Sequence, residues 1–142
     1  MKKLLLVSLL LIVAALVSAC AAAPTSQPTM APVAATRGTV TRISAEQLDQ
    51  ILAGPKDFTL VNVHTPYEGE LPKTDLAIPY DQIDAHLGQL PGKDAQIVLY
   101  CRSGRMSDIA GRRLVELGYT RVYDLAGGML AWEASGRPLV QK

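Results

Sequence analysis

The sequence predicts an α/β domain: a small central parallel β-sheet flanked by helices on both faces. Three features carry that expectation. Short β-prone runs alternate with helical patterns from about Gly38 to Lys142, the order in which parallel strands are joined by crossover helices. The run Gln96-Ile-Val-Leu-Tyr100 is the most continuous apolar stretch of this region, as expected of a strand covered on both faces. The helical patterns also bring their own start and stop residues, so the segments separate.

Taken in order, Thr39 to Ile43 is β-prone, and Ser44-Ala-Glu-Gln47 has the spacing of a capping box opening a helix with Leu48, Ile51 and Leu52 on one face. Gly54-Pro55 stops it. Phe58-Thr-Leu-Val-Asn-Val63 reads as a strand feeding an irregular loop, His64 to Asp75, with two prolines, a glycine and two glutamates. Leu76 to Pro79 is a short strand, and Asp81 starts a weaker helix carrying Ile83, Leu87 and Leu90, stopped by Pro91-Gly92. After the central strand, Ser107 to Leu117 is the clearest helix, with Ile109, Ala110, Leu114 and Leu117 apolar and Gly118 as its terminator. Val122 to Leu125 is the last strand, Gly127-Gly128 a turn, and Met129 to Ala134 a short helix. Residues 38–142 are enough for one core without staples.

Two further regions precede this domain. Lys2 and Lys3 stand before Leu4 to Val17, a run of fourteen residues broken only by Ser8, and small residues lead to Cys20. Residues 1–19 therefore read as an export signal. Leu16-Val-Ser-Ala-Cys20 resembles the lipobox of bacterial lipoproteins, which implies cleavage before Cys20 and a lipid on its thiol. The competing reading is an uncleaved membrane helix continued through Ala21 to Ala23. Either way the domain is expected outside the cytoplasm, lipid-anchored in the preferred reading, on the periplasmic or cell-surface side of a bacterial membrane. Residues 20–37 form a tether: Cys20 to Thr36 has no charge, and Pro24, Pro28 and Pro32 recur among Ala, Thr, Ser and Gln. Such a stretch cannot bury a core; at about 3.1 Å per residue it reaches on the order of 50 Å from the membrane.

Charge excludes one class of partner. With 14 Lys and Arg against 13 Asp and Glu, a large basic nucleic-acid surface is not expected. Two cysteines cannot build a disulfide scaffold. Two histidines, His64 and His86, with no close spacing to a free cysteine fall short of a structural zinc set, and no metal or other cofactor is expected.

The chemistry centres on Cys101-Arg-Ser-Gly-Arg-Met106. Ligands of open parallel sheets bind beyond the carboxyl ends of the strands, and this loop follows the most buried one. Cys101 ends that strand ahead of a helix opening at Ser107, so its sulfur should face free backbone N–H groups. A helix N-terminus, loop amides and the charges of Arg102 and Arg105 all favour the thiolate. Gly104 permits a turn that a side chain would obstruct. Ser103 and Ser107 have hydroxyls to donate to an anion or to cap the helix. The competing reading is a small inert cysteine at a strand end; two arginines within four residues weigh against it.

Tyr100-Cys-Arg-Ser-Gly-Arg-Met-Ser107 resembles the active-site loop of rhodanese-family sulfurtransferases, and Leu125-Ala-Gly-Gly-Met-Leu-Ala-Trp132 resembles that family's C-terminal segment. The resemblance runs from about Val40 to Val140. It implies a rhodanese-like fold with Cys101 as the sulfur-carrying nucleophile and Arg102, Ser103, Gly104, Arg105, Met106 and Ser107 as the rest of the pocket. The implied reaction moves a sulfane sulfur from a small anionic donor, thiosulfate or a persulfide, to a thiol or cyanide acceptor. Where the family usually has Asp-Val-Arg, this chain has Asn62-Val63-His64. Asn62 keeps the shape and hydrogen bonding of Asp without its charge, and His64 is a cation only when protonated; both are expected beside the pocket.

Two other functions fit the same features. A phosphatase or arsenate reductase of similar fold needs Arg six positions after the Cys, where this chain has Ser107. A non-catalytic tethered binding module would keep the shape without the chemistry. Glu68 and Glu70, in a Gly- and Pro-containing loop, are expected to be solvated, His86 to lie at the surface, and Trp132 to pack the last helix onto the core.

Overall fold

The computed structural model describes residues 38–141; the expected signal and tether, with Cys20, lie outside the described residues. Five strands make one sheet: β1 (Thr41–Ile43), β2 (Phe58–Asn62), β3 (Leu76–Ala77), β4 (Gln96–Tyr100) and β5 (Arg121–Leu125), in the order β1-β5-β4-β2-β3. Every pairing is parallel. All five residues of β4 are buried, as its unbroken apolar character requires of a central strand.

Three α-helices, α1 (Ala45–Ala53), α2 (Arg105–Glu116) and α3 (Gly128–Ala134), join a 3-10 segment, Tyr80–Gln89, in covering the sheet. Strand side chains alternate between faces, which divides the core in two. Leu60, Val98, Tyr100, Tyr123 and Leu125 pack with Leu48 and Leu52 of α1 and Met129 and Trp132 of α3. Val61, Ile97, Leu99, Cys101 and Val122 pack with Ala110 and Leu114 of α2 and Ile83 of the 3-10 segment. The expected sandwich with helices on both faces is thereby met.

The capping box forms as read: Gln47 N–H donates to Ser44 Oγ at 3.2 Å, and Ser44 N–H donates to Gln47 Oε1 at 2.8 Å. Trp132 is buried on the core and its indole N–H donates to Pro138 O at 3.1 Å.

Two elements differ from expectation. The segment expected to be an α-helix from Asp81 is 3-10, begins at Tyr80 and breaks helical geometry at His86 (φ −116°, ψ 16°). Only Ile83 within it is buried, too little apolar anchorage to hold a full amphipathic α-helix. It is clamped to α2 by Arg113, whose Nε and Nη2 reach Asp84 at 2.9 and 2.7 Å and hold that carboxyl below the usual range. The helix expected from Ser107 starts two residues earlier, at Arg105, behind Gly104 at φ 95°. A glycine in the left-handed region turns the chain straight into the helix, so the loop is shorter than the six residues expected and Ser107 lies in the first helical turn.

Candidate active site

The site is assembled at the carboxyl edge of the three middle strands. Asn62 ends β2 opposite Tyr100 of β4, and Leu99 of β4 stands opposite Asp124 of β5. Cys101, one residue past β4, continues the alternation of Ile97 and Leu99 and so points toward the α2 face. It is 1 % exposed. Its surroundings are polar on the loop side: Gly104 N–H donates to Sγ at 3.1 Å, and Ser107 Oγ lies at 3.5 Å as a second donor. Being inside the helix, Ser107 does not act as the cap expected of it, and its hydroxyl faces the sulfur instead.

The far side of the loop is held by α3. Met129 N–H donates to Cys101 O at 2.9 Å and Leu130 N–H to Arg102 O at 3.0 Å. This close approach depends on Gly128 (φ 57°), where a Cβ would lie 2.1 Å from Cys101 O. The Gly-Gly pair of the sequence is therefore a packing surface for the loop as well as a turn.

Of the two flanking arginines, Arg102 pairs with Glu68, and this guanidinium holds the Glu68 carboxyl below the usual range. Arg105 is exposed at the start of α2. The two arginines thus do not converge on the sulfur, because Gly104 and the helix start turn them to different sides. Arg102 lines one cleft of about 550 Å³ with Glu68, Met129, Leu130 and Glu133. Ser103 and Arg105 line another of about 530 Å³ with Arg42, Asp108 and Asp124. Met106 is half-buried and packs on the α2-side core.

Asn62 is buried and braces the adjoining loop: its Nδ2 donates to Gly69 O at 3.0 Å and its Oδ1 accepts from His64 N–H at 2.9 Å. His64 places its ring beneath Glu68, with Nε2 3.3 Å from Oε2, near enough for attraction but not aligned as a hydrogen bond. His64 therefore reaches the pocket rim through Glu68. His86 is half-buried, and its Nδ1 lies 2.9 Å from Gln82 O within the 3-10 segment. Tyr100 Oη accepts from Leu71 N–H at 3.0 Å and lies 2.8 Å from Thr74 Oγ1, tying the same loop to β4; burial pushes the phenol up to about 12.

The expectation that Glu68 and Glu70 are both solvated is corrected. Glu68 is exposed but engaged by Arg102 and His64. Glu70 is 3 % exposed, since its backbone N–H and C=O pair with Val140 at 2.9 and 2.8 Å and draw it inward. Sequence reasoning also passed over Asp124, 1 % exposed in β5. A carboxyl inside the apolar run Val122 to Leu125 was the available signal, since Asp is almost never fully buried without a partner.

This geometry can stabilise an anion on sulfur: one loop amide and one hydroxyl donate to Sγ, and a positive side chain stands at the rim. No group of three or more His, Cys, Asp or Glu arranged for a metal ion occurs among the described residues. Known proteins are similar to the chain in sequence and fold. A sulfurtransferase of Allochromatium vinosum is 40% identical over 104 residues, which span 71% of this chain and 95% of that protein. Thiosulfate sulfurtransferase 16, chloroplastic, of Arabidopsis thaliana is 36% identical over 58 residues, 41% of this chain and 45% of that one. The crystal structure of a rhodanese-related protein from Thermoplasma volcanium superposes with a TM-score of 0.61 at 26% identity, covering 72% of this chain and 99% of that one. The Rhodanese-like domain model matches residues 44–135, from the cap of α1 to the end of α3, and the chain belongs to the rhodanese-like domain family.

Proposed function

We propose that this protein is a sulfurtransferase that carries a sulfane sulfur on Cys101 as a persulfide. The observation that carries the reading is the pair of donors on the sulfur, Gly104 N–H at 3.1 Å and Ser107 Oγ at 3.5 Å. Both strengthen as charge develops on sulfur. The Cys101 thiolate attacks the outer sulfur of an anionic donor such as thiosulfate; the S–S bond of the donor breaks, sulfite leaves with the electron pair, and the persulfide anion remains. A thiol or cyanide then takes the outer sulfur and the thiolate returns. Arg102, at the rim, attracts the donor's oxygens. The names of the relatives, sulfurtransferase and thiosulfate sulfurtransferase, support the class and the donor.

Intact-mass measurement after incubation with thiosulfate tests this. The wild type gains about 32 Da, one persulfide sulfur, and loses it on addition of a thiol or cyanide; Cys101→Ser gains nothing. A wild type without the adduct would favour a binding module of the same shape.

Cleavage before Cys20 and lipidation of its thiol would place the domain outside the cytoplasm on a tether of residues 20–37. Expression in a bacterial host with labelled palmitate tests that reading: label in the wild type and none in Cys20→Ser supports it, and an unlabelled, membrane-free wild type overturns it.

A further inference from the structure

Both ring nitrogens of His64 are buried with no hydrogen-bond partner among the described residues. That calls for a reason, since buried polar atoms are nearly always paired. The side chain is 8 % exposed, and its backbone N–H is tied to Asn62 Oδ1 at 2.9 Å, so the ring is held in place. One acceptor stands close: Glu68 Oε2, 3.3 Å from Nε2. The same oxygen accepts from Arg102 Nη1. Glu68 thus has two neighbours and satisfies one. The side chains of Glu68 and Arg102 are both exposed, which makes them the movable members of the three.

Resting on the reading of Arg102 as the residue that attracts the anionic donor, we propose that His64 is a positioning residue that receives the Glu68 carboxylate when the donor takes Arg102. As Glu68 leaves the guanidinium, its carboxylate turns the short distance to Nε2, and a neutral ring with its proton on Nε2 donates to it. The guanidinium then faces the donor's oxygens, Glu68 keeps a partner, and the ring gains the one it lacks. Without His64 the exchange would strand a carboxylate beside an incoming anion. The electrostatics run the same way: Arg102 first, and the His64 ring after it, hold the Glu68 carboxyl below the usual range.

The first test needs no sulfur transfer. Thiosulfate is added to ¹⁵N-labelled Cys101→Ser protein, and the side-chain N–H signals of Arg102 and His64 are followed by NMR. As the Arg102 signal responds, the His64 Nε2 proton should move downfield and exchange more slowly with water, the signature of a hydrogen bond gained. With Glu68→Ala added, that change should be absent. A His64 signal that stays put while Arg102 responds overturns the proposal, and so does an Arg102 signal that does not respond.

Steady-state kinetics supplies the second test. His64→Phe keeps a ring in the buried position and removes its donor, so the KM for thiosulfate should rise roughly two- to tenfold, the fold-change of one net hydrogen bond, with a smaller change in kcat. His64→Gln, which offers a side-chain N–H, should recover most of the loss. In a Glu68→Ala background His64→Phe should leave KM in place. A rise that survives there, or that Gln does not relieve, assigns His64 to packing and refutes the exchange. Should His64→Phe not fold, the native ring in the first measurement decides alone. A wild type that takes up sulfur on Cys101 yet fails these tests loses only the exchange; one that takes up no sulfur loses the sulfur-carrier reading, and the His64 signal still decides the exchange.

Discussion

Met129 N–H donates to Cys101 O at 2.9 Å, so the last helix begins on the carbonyl of the residue that bears the sulfur. The contact is possible only because the preceding position has no side chain: a Cβ on Gly128 would also fall 2.8 Å from Arg102 C. Backbone cannot yield as the end of a flexible side chain can.

Gly128→Ala should therefore lose several kcal/mol of stability, as clash and left-handed strain add, together with most sulfur transfer. Gly136→Ala is the control, since that residue also has positive φ (83°) but open space around it. Its cost should be about 1–2 kcal/mol, from strain alone. Thermal unfolding followed by circular dichroism measures both; equal losses would show that the loop contact is unimportant.

In the proposed reaction, Glu68, which pairs with Arg102, competes with the anionic donor for that guanidinium. Removing its charge frees the guanidinium, and an exposed pair of this kind is weak because solvent screens it. Glu68→Gln should lower the KM for thiosulfate by up to about fivefold with little change in kcat. Arg102→Ala should raise it, and steady-state kinetics at low salt distinguishes the two. A KM that rises in Glu68→Gln would mean that the pair shapes the mouth for the donor.

Tyr100 links pH to the loop that carries Glu68. Its phenol is raised to about 12 by burial, against the pull of Thr74 and Leu71. A group that holds its proton more tightly when folded stabilises the fold fully below the unfolded value, near 10, and loses that contribution as pH rises toward 12. Wild-type stability should fall in this window by on the order of 3 kcal/mol from this group, and Tyr100→Phe should fall less. The same variant, having left Leu71 N–H without its acceptor, should be about 1–3 kcal/mol less stable at neutral pH. Urea unfolding at pH 7, 10 and 11 reads both effects.

Local chemistry in the sequence was sufficient for the parallel α/β class, the capping box at Ser44, the strand before Cys101 and the loop itself. Each is written in neighbouring residues: an apolar run, a cap and its partner three positions on, a glycine where the chain must turn. Tertiary structure alone decided which polar groups meet. Glu68 is 34 positions from Arg102, and Tyr100 is 29 from Leu71; no periodicity within either segment encodes such a pairing. The shift of α2 to Arg105 and the collapse of Tyr80–Gln89 into 3-10 geometry have the same origin. A helix boundary or a weak helix is settled by a few tenths of a kcal/mol per residue, and the packing of whole elements against the sheet outweighs that.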